Sequence, residues 1–139
     1  MKGEEYKVRP SDQVLTILQE GKILQIMQGG TGVPHMHWCG QEEDYNFIVL
    51  EELDRSVGQL QGLCGGKFMQ KTALMLGQEI IGILQYFHFK NFIHNQIKPA
   101  NVMLGPGEKQ GKFFLVDYGA ASRYKDAQTF EHIPENHRS

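Results

Sequence analysis

The sequence predicts an α+β fold, in which short antiparallel hairpins and helices occupy separate stretches of the chain. Residues 35–39 and 45–50 form two strand patterns around a polar turn. Residues 71–89 form a long helical pattern. Residues 102–104 and 113–116 form a second pair of short apolar strands around a Gly-Pro-Gly turn. With 40% apolar and 22% charged residues in 139, the composition is typical of a globular chain.

The first part of the chain predicts one strand and one helix before the first hairpin. The strand lies at residues 6–8, and Ser11 or Asp12 can cap the helix that follows. Small or apolar residues recur in this helix at a spacing near 3.6: Val14, Ile17, Leu18, Gly21, Leu24 and Met27. The pair Gly29-Gly30 ends it.

After Glu51-Glu52-Leu53 the composition of the chain changes. A short helix is predicted over residues 56–64, and Gly65-Gly66 ends it. The helix over residues 71–89 is apolar around much of its circumference, so we expect it to be covered on more than one side. Residues 91–100 form a polar loop, and the chain beyond the second hairpin is polar and aperiodic.

Charge and composition exclude several classes of function. Fourteen basic and sixteen acidic residues leave a formal charge of −2, which gives no drive toward nucleic acid or an anionic membrane. The longest apolar stretch, residues 79–89, is too short to cross a bilayer, and the first residues lack the pattern of a secretory signal. Two cysteines fit a reducing compartment. We expect an intracellular protein, with no nucleic-acid partner and no membrane insertion.

Two further features have ordinary explanations. His35, His37 and Cys39 alternate and would share one strand face, where they could begin a metal site, but a fourth ligand is not evident. One face of an ordinary strand explains them better. Trp38 is expected in the core rather than as a platform for a ligand.

The strongest signal combines two polar motifs with the second hairpin between them. Residues 94–101 read His-Asn-Gln-Ile-Lys-Pro-Ala-Asn, and Asp117-Tyr118-Gly119 follows the hairpin. In this order and at this spacing they resemble the catalytic core of protein kinases, H-R-D-x-K-P-x-N followed by D-F-G. Phosphoryl transfer needs a base, a cation near the phosphate and oxygen ligands for magnesium. A tight hairpin would bring such ligands to one place.

The resemblance extends over most of the chain and is closest to the casein kinase I group. Residues 18–30 are similar to the αC helix of that group, and Gly32-Val33-Pro34 with Trp38 follows in the family's order. Downstream, Tyr124, Asp126 and residues 132–134 resemble the start of its activation segment.

The resemblance implies a nucleotide site. Glu20 corresponds to the αC glutamate, and Lys7 is the candidate for the lysine that it pairs with; a surface charge on an edge strand is the alternative for Lys7. The residues implied to contact adenine are Leu50, Glu51, Glu52 and Leu53 at the gatekeeper and hinge, Met103 below the base, and Val116 before the metal turn. Those implied to hold phosphate and magnesium are Lys98, Asn101 and Asp117.

Several departures from the family pattern argue against catalysis. Gln96 replaces the catalytic aspartate, and an amide cannot accept a proton at physiological pH. Asn95 replaces the arginine that would meet a phosphorylated activation segment. Only six residues precede Lys7, so no glycine-rich loop is seen, and the sequence resembles about half of a kinase domain. We expect ATP and Mg²⁺ to bind weakly or not at all, and neither to be required.

These observations lead to a kinase-like α+β fold with two partial lobes. Residues 1–53 are predicted to form a reduced N-lobe of antiparallel strands with an αC-type helix, and residues 54–139 a partial, helical C-lobe. The function favoured is that of a catalytically impaired pseudokinase that acts as a scaffold in a larger assembly. The helix at 71–89 would contact other subunits of that assembly through Ile80, Ile81 and Leu84. The alternatives are an active Ser/Thr kinase and a fragment or half of a split kinase.

Overall fold

The computed structural model describes residues 14–134, with side chains from residue 17 onward. Three predictions fall outside this range: the strand at 6–8, the role of Lys7, and the helix cap at Ser11 or Asp12. The helices are α1 Val14–Met27, α2 Val57–Leu63 and α3 Gln70–Phe89. The strands are β1 Met36–Glu42, β2 Tyr45–Leu50, β3 Phe92–Ile93, β4 Val102–Leu104, β5 Phe113–Leu115 and β6 Ser122–Arg123.

The first helix and the first hairpin are confirmed. Strands β1 and β2 pair antiparallel, from Met36 opposite Leu50 to Glu42 opposite Tyr45, with a β-bulge between Met36 and Trp38. The inner face of the hairpin packs on α1, where the Cys39 side chain lies directly against Gly21. Because a larger side chain at this point of α1 would collide with the strand, the helix and the hairpin lie in close contact.

The expectation that Trp38 belongs to the core is wrong. Its side chain is 45% exposed, on the face of the hairpin that points away from α1. The bulge explains the difference, since an extra residue in one strand shifts which side chains face the core.

The second part of the chain contains α2, α3 and the β4–β5 hairpin, as predicted. Helix α2 begins at a capping box: the Ser56 hydroxyl accepts from the Gln59 amide, and the Gln59 side chain accepts from the Ser56 amide. Strands β4 and β5 pair antiparallel from Val102 opposite Leu115 to Leu104 opposite Phe113.

Within the described residues, helix α3 is covered on one side only. The second cover, by another polypeptide or by chain outside this range, stays a prediction. Ile83 and Phe87 are buried, and Ile80 and Leu84 are partly buried against the same core. Of the three residues expected at an interface, only Ile81 is exposed, at 69%. The other large apolar side chains exposed on this helix are Leu74, Met75 and Phe89.

Two elements were not expected in segments interpreted as loop or tail. Strand β3 pairs antiparallel with β6, Phe92 opposite Arg123 and Ile93 opposite Ser122. A short 3₁₀ turn also covers Pro99–Asn101. The polar loop is therefore held at its beginning by a strand pair and at its end by a turn.

One core joins both parts of the chain. It contains Ile23, Leu24, Met27, Val33, Val57, Ile83, Phe87, Phe92, Val102, Leu115, Tyr118 and Ala121. The loop after α1 reaches α3 at Gly32, whose φ of +72° favours glycine and whose α-carbon faces the Ile83 side chain so closely that a Cβ would collide with it. The Gly32 carbonyl also accepts from the Leu115 amide at 2.9 Å. This loop therefore connects α1 to α3 and to β5.

Among residues 14–134, no helix has the length and apolar character needed to cross a membrane.

Candidate functional site

The polar loop at residues 94–101 begins at a buried histidine. His94 is 1% exposed, and its ring lies edge-on to Phe87 and Tyr118, with centroid distances of 5.6 Å to each. Its Nδ1 accepts from the Gln96 amide at 3.2 Å, so the ring proton is on Nε2, which donates to the Val116 carbonyl at 3.1 Å. Burial lowers the pKa of His94. A neutral imidazole thus ties the loop to the residue before Asp117.

Asn101 lies at the end of the loop and is 6% exposed. Its side-chain nitrogen donates to the Gln96 carbonyl at 3.0 Å, and its main-chain carbonyl accepts from the Val116 amide at 2.9 Å. The second bond holds the residue before Asp117 against Asn101. Because the amide nitrogen is committed to Gln96, the side-chain oxygen is the atom that Asn101 would offer to a cation.

The turn at residues 117–119 is held by a carboxylate from α1. Asp117 has a φ of +67°, and its Oδ1 accepts from the Gly119 amide at 3.4 Å. The Tyr118 amide donates to Oε1 of Glu20 at 3.2 Å, and Glu20 is 6% exposed. Glu20, assigned by the resemblance to an ion pair with a lysine, therefore contacts the main chain of this turn. This contact was not foreseen.

Asn95 connects the polar loop to the segment after this turn. It has a φ of +67°, and its side-chain nitrogen lies 2.9 Å from both the Ala120 carbonyl and the Ser122 hydroxyl. The same segment pairs with the start of the loop through β3 and β6. The residue that replaces the expected arginine thus makes neutral contacts with the chain itself.

The family model described as the protein kinase domain matches residues 2–136. The chain belongs to the protein kinase family. Its fold is a small α+β protein-kinase-like fold with three helices and antiparallel strands in the described range.

The remaining residues that resemble the kinase nucleotide site occupy two places. Gln96 and Lys98 are exposed in the polar loop, and the Lys98 carbonyl accepts from the Asn101 amide at 2.9 Å. Met103 lies opposite Phe114 in the β4–β5 hairpin and bridges to Ser56, directly before α2.

The segment that resembles the kinase hinge, residues 50–53, follows β2. Leu50 packs partly against the core, Glu52 is exposed and Leu53 is partly buried. The Glu51 amide donates to the His35 carbonyl at 2.8 Å, and its Oε1 accepts from the His35 amide at 2.8 Å. In a regular antiparallel pair the His35 amide would instead bond to the Glu51 carbonyl.

The Glu51 side chain also forms an ion pair with Lys109, which comes from the turn of the second hairpin. Burial alone would raise the pKa of Glu51, but the Lys109 and His35 hydrogen bonds outweigh it, and the pKa lies below its ordinary value. Glu51 thus connects the segment after β2 to the β4–β5 turn and to His35, directly before β1.

A cavity of about 620 Å³ lies between the loop after α1, helix α3 and the β4–β5 turn. Its walls include Val33, Ile83 and Phe113, whereas Asn101 and Asp117 do not line it. The cavity is therefore separate from the polar loop and from the turn at residues 117–119.

Within the described residues, His88 and His132 both lie edge-on to the Tyr124 ring, with centroid distances of 5.9 and 5.5 Å. His137 lies outside the described residues. His94 and Asn95 are the positioning residues whose contacts sequence analysis missed; the one available signal was their place directly after the apolar pair Phe92-Ile93.

Proposed function

We propose that this kinase-family chain is a casein-kinase-I-like pseudokinase that acts as a binding or scaffolding element in a larger assembly. The observation that carries the proposal is Gln96 at the position of the catalytic aspartate. A carboxamide cannot take a proton from a substrate hydroxyl, and loss of a positioned base costs roughly 10²–10⁴-fold in rate. No aspartate or glutamate occurs anywhere in residues 94–101 to replace it.

The main chain around Gln96 supports this interpretation. Its amide donates to His94 and its carbonyl accepts from Asn101, so the backbone at this position is held from both sides. A substitution of the side chain alone would therefore place a carboxylate where the family has one. The departure from the family lies in the chemistry of one side chain in a loop that is otherwise well ordered by hydrogen bonds.

Nucleotide binding is proposed to be weak and magnesium-dependent, and not required for the scaffold role. Asn101 and Asp117 offer amide and carboxylate oxygens, which suit Mg²⁺, and the Val116 amide bond holds their segments together. Lys98 would meet phosphate. Bound Mg²⁺ would neutralise phosphate charge.

The scaffold role is supported by the outer side of α3. Leu74, Met75, Ile81 and Phe89 are between 59% and 79% exposed, and together they place four large apolar side chains on one helix. Apolar surface of this kind usually marks a protein interface. We infer that this side of α3 contacts another polypeptide. We also retain the division into partial lobes at residues 1–53 and 54–139, and an intracellular location, which the free thiols of Cys39 and Cys64 support.

A phosphotransfer assay tests the proposal. Wild type, Gln96→Asp and the matched control Gln96→Asn are incubated with radiolabelled ATP, Mg²⁺ and an acidic protein substrate. We expect no useful turnover by wild type or Gln96→Asn, and a gain only in Gln96→Asp if the rest of the site is competent. Wild-type turnover near ~1 s⁻¹ that disappears in Asp117→Asn would instead establish an active Ser/Thr kinase.

Calorimetry tests the nucleotide proposal separately. We expect ATP to bind weakly, and only with Mg²⁺, and the Asp117→Asn variant to lose this binding. Sub-micromolar affinity, better than about −8 kcal/mol, would contradict it.

A further inference from the structure

The outer face of the β1–β2 hairpin carries a continuous aromatic surface. Residues directly opposite each other in the ladder share a face, and this face holds three pairs: Trp38 with Val49, Gly40 with Phe47, and Glu42 with Tyr45. The Phe47 ring lies 6.5 Å from Trp38 and 6.1 Å from Tyr45, between centroids. We call Trp38, Phe47 and Tyr45 the aromatic stripe.

Gly40 allows the stripe to form. A Cβ at this position would lie 2.8 Å from Cζ2 of Trp38, so the indole ring covers the space that a side chain would otherwise occupy. Trp38 is 45% exposed and Tyr45 is 51% exposed, although both are large aromatic residues. The opposite face of the hairpin is the one that packs on α1, through Cys39 and Ile48. The core therefore does not explain the stripe.

The stripe ends at an acidic turn. Glu42, Glu43 and Asp44 follow one another there, and all three are exposed. The sequence contains no lysine or arginine between residues 36 and 50. The ion pair found within the described part of the chain joins Glu51 to Lys109, and none is found there for the three carboxylates of the turn. Aromatic faces and three exposed carboxylates thus lie side by side.

We propose that this surface binds an arginine-rich segment of a partner protein. The faces of Trp and Tyr rings attract cations. Arginine is the cation most often found there, because its planar guanidinium group also stacks on the ring. The same group binds carboxylates with two parallel hydrogen bonds. Phosphate-bearing partners such as nucleic acid are disfavoured by the carboxylates of Glu42, Glu43 and Asp44. The surface is separate from α3 and from the polar loop, so the proposal does not depend on the proposed function.

Trp38 makes this proposal directly measurable, because it is the one tryptophan among 139 residues. The full chain is titrated with a flexible peptide of alternating arginine and serine, which contains no aromatic residue, while Trp38 fluorescence is recorded. We expect a saturable change that weakens several-fold when salt is raised from ~0.1 M to ~0.5 M. A lysine peptide of the same charge should bind more weakly, and a glutamate peptide should leave the signal unchanged.

Variants identify the surface, with binding followed by calorimetry so that loss of tryptophan does not matter. Trp38→Leu, and separately the combined change Glu42→Gln, Glu43→Gln and Asp44→Asn, should each weaken binding at least about 10-fold, whereas Trp38→Phe should retain most of it. Phe130→Leu, at a residue 68% exposed, is the matched control and should bind as wild type does. Circular dichroism confirms that each variant is folded.

Three results would overturn the proposal. The first is the absence of saturable binding by the wild-type chain up to about 1 mM peptide, an affinity of roughly −4 kcal/mol. The second is equal binding by wild type and both surface variants. The third is a concentration-dependent dimer that Trp38→Leu abolishes, since it would assign the stripe to a second copy of the chain.

Discussion

The Tyr118 hydroxyl provides a sharp test of the packing around the turn at residues 117–119. The side chain is 1% exposed, and the hydroxyl has no hydrogen-bond partner among the described residues. Burial raises the pKa of this hydroxyl well above its ordinary value, with smaller contributions from Glu20 and Tyr86. An unsatisfied buried polar group costs about 1–3 kcal/mol. The Tyr118→Phe variant removes that cost and keeps the ring contacts with Phe87 and His94, at 5.0 and 5.6 Å between centroids.

We therefore expect Tyr118→Phe to stabilise the fold by about 1 kcal/mol, because the small void left by the oxygen offsets part of the gain. For a chain of 139 residues this raises Tm by roughly 3–5 °C. Tyr86→Phe is the matched control: the Tyr86 hydroxyl donates to the Met27 carbonyl at 3.0 Å, so its loss should destabilise by about 1 kcal/mol. The assay is urea unfolding of both variants beside wild type. A Tyr118→Phe variant destabilised as much as Tyr86→Phe would refute the reasoning, since it would mean that the Tyr118 hydroxyl is satisfied in the folded chain.

Three further predictions concern pH, backbone conformation and association. Burial lowers the pKa of His94 below its ordinary value of 6.5, so the unfolded chain binds more protons than the folded chain, and stability should fall as pH decreases below about 6.5. Chemical denaturation at several pH values should show the free energy of unfolding falling with pH, and His94→Gln should make this fall smaller. Gly32→Ala should destabilise the fold by about 1–2 kcal/mol, because Gly32 has a left-handed φ and lies against the Ile83 side chain. Gly82→Ala, in open space within α3, should stabilise the fold by roughly 0.5–1 kcal/mol in the same urea unfolding assay. Purified alone, the chain should self-associate at micromolar concentration through the exposed side of α3, and Ile81→Glu should reduce this association in sedimentation velocity; a wild-type chain that stays a monodisperse monomer would contradict the assignment of α3 to an interface.

The elements that depend on local signals could be predicted from the sequence. The β1–β2 hairpin follows from short apolar runs on either side of a polar turn, and α2 from the serine before it and the glycines after it. The pairing of Phe92–Ile93 with Ser122–Arg123 could not be predicted, because two-residue strands have no measurable period and their partners lie about thirty residues apart. The sequence predicted helix α3 itself but not which of its sides is buried, because apolar residues occur around most of its circumference.

The candidate site likewise has features that the sequence predicts and features that it does not. Gln96, Asn101 and Asp117 were identified because motif order and spacing are properties of the sequence. The contact between Glu20 and the Tyr118 amide joins residues 98 positions apart, and it depends on how α1 packs on the turn. Sequence spacing carries no information about such packing. The resemblance could assign Glu20 a family partner, but only the packed structure reveals the main-chain bond.

The neutral contacts of Asn95 have a consequence for control. An arginine at this position would bind a phosphorylated activation segment. The order of that segment would then depend on the enzymes that add and remove the phosphate group. Asn95 finds its two acceptors, Ala120 and Ser122, in the chain itself. The number of these bonds is fixed when the chain folds, and no phosphorylation cycle is needed to form them. Order at this joint is therefore a property of the folded chain itself and depends on no modifying enzyme.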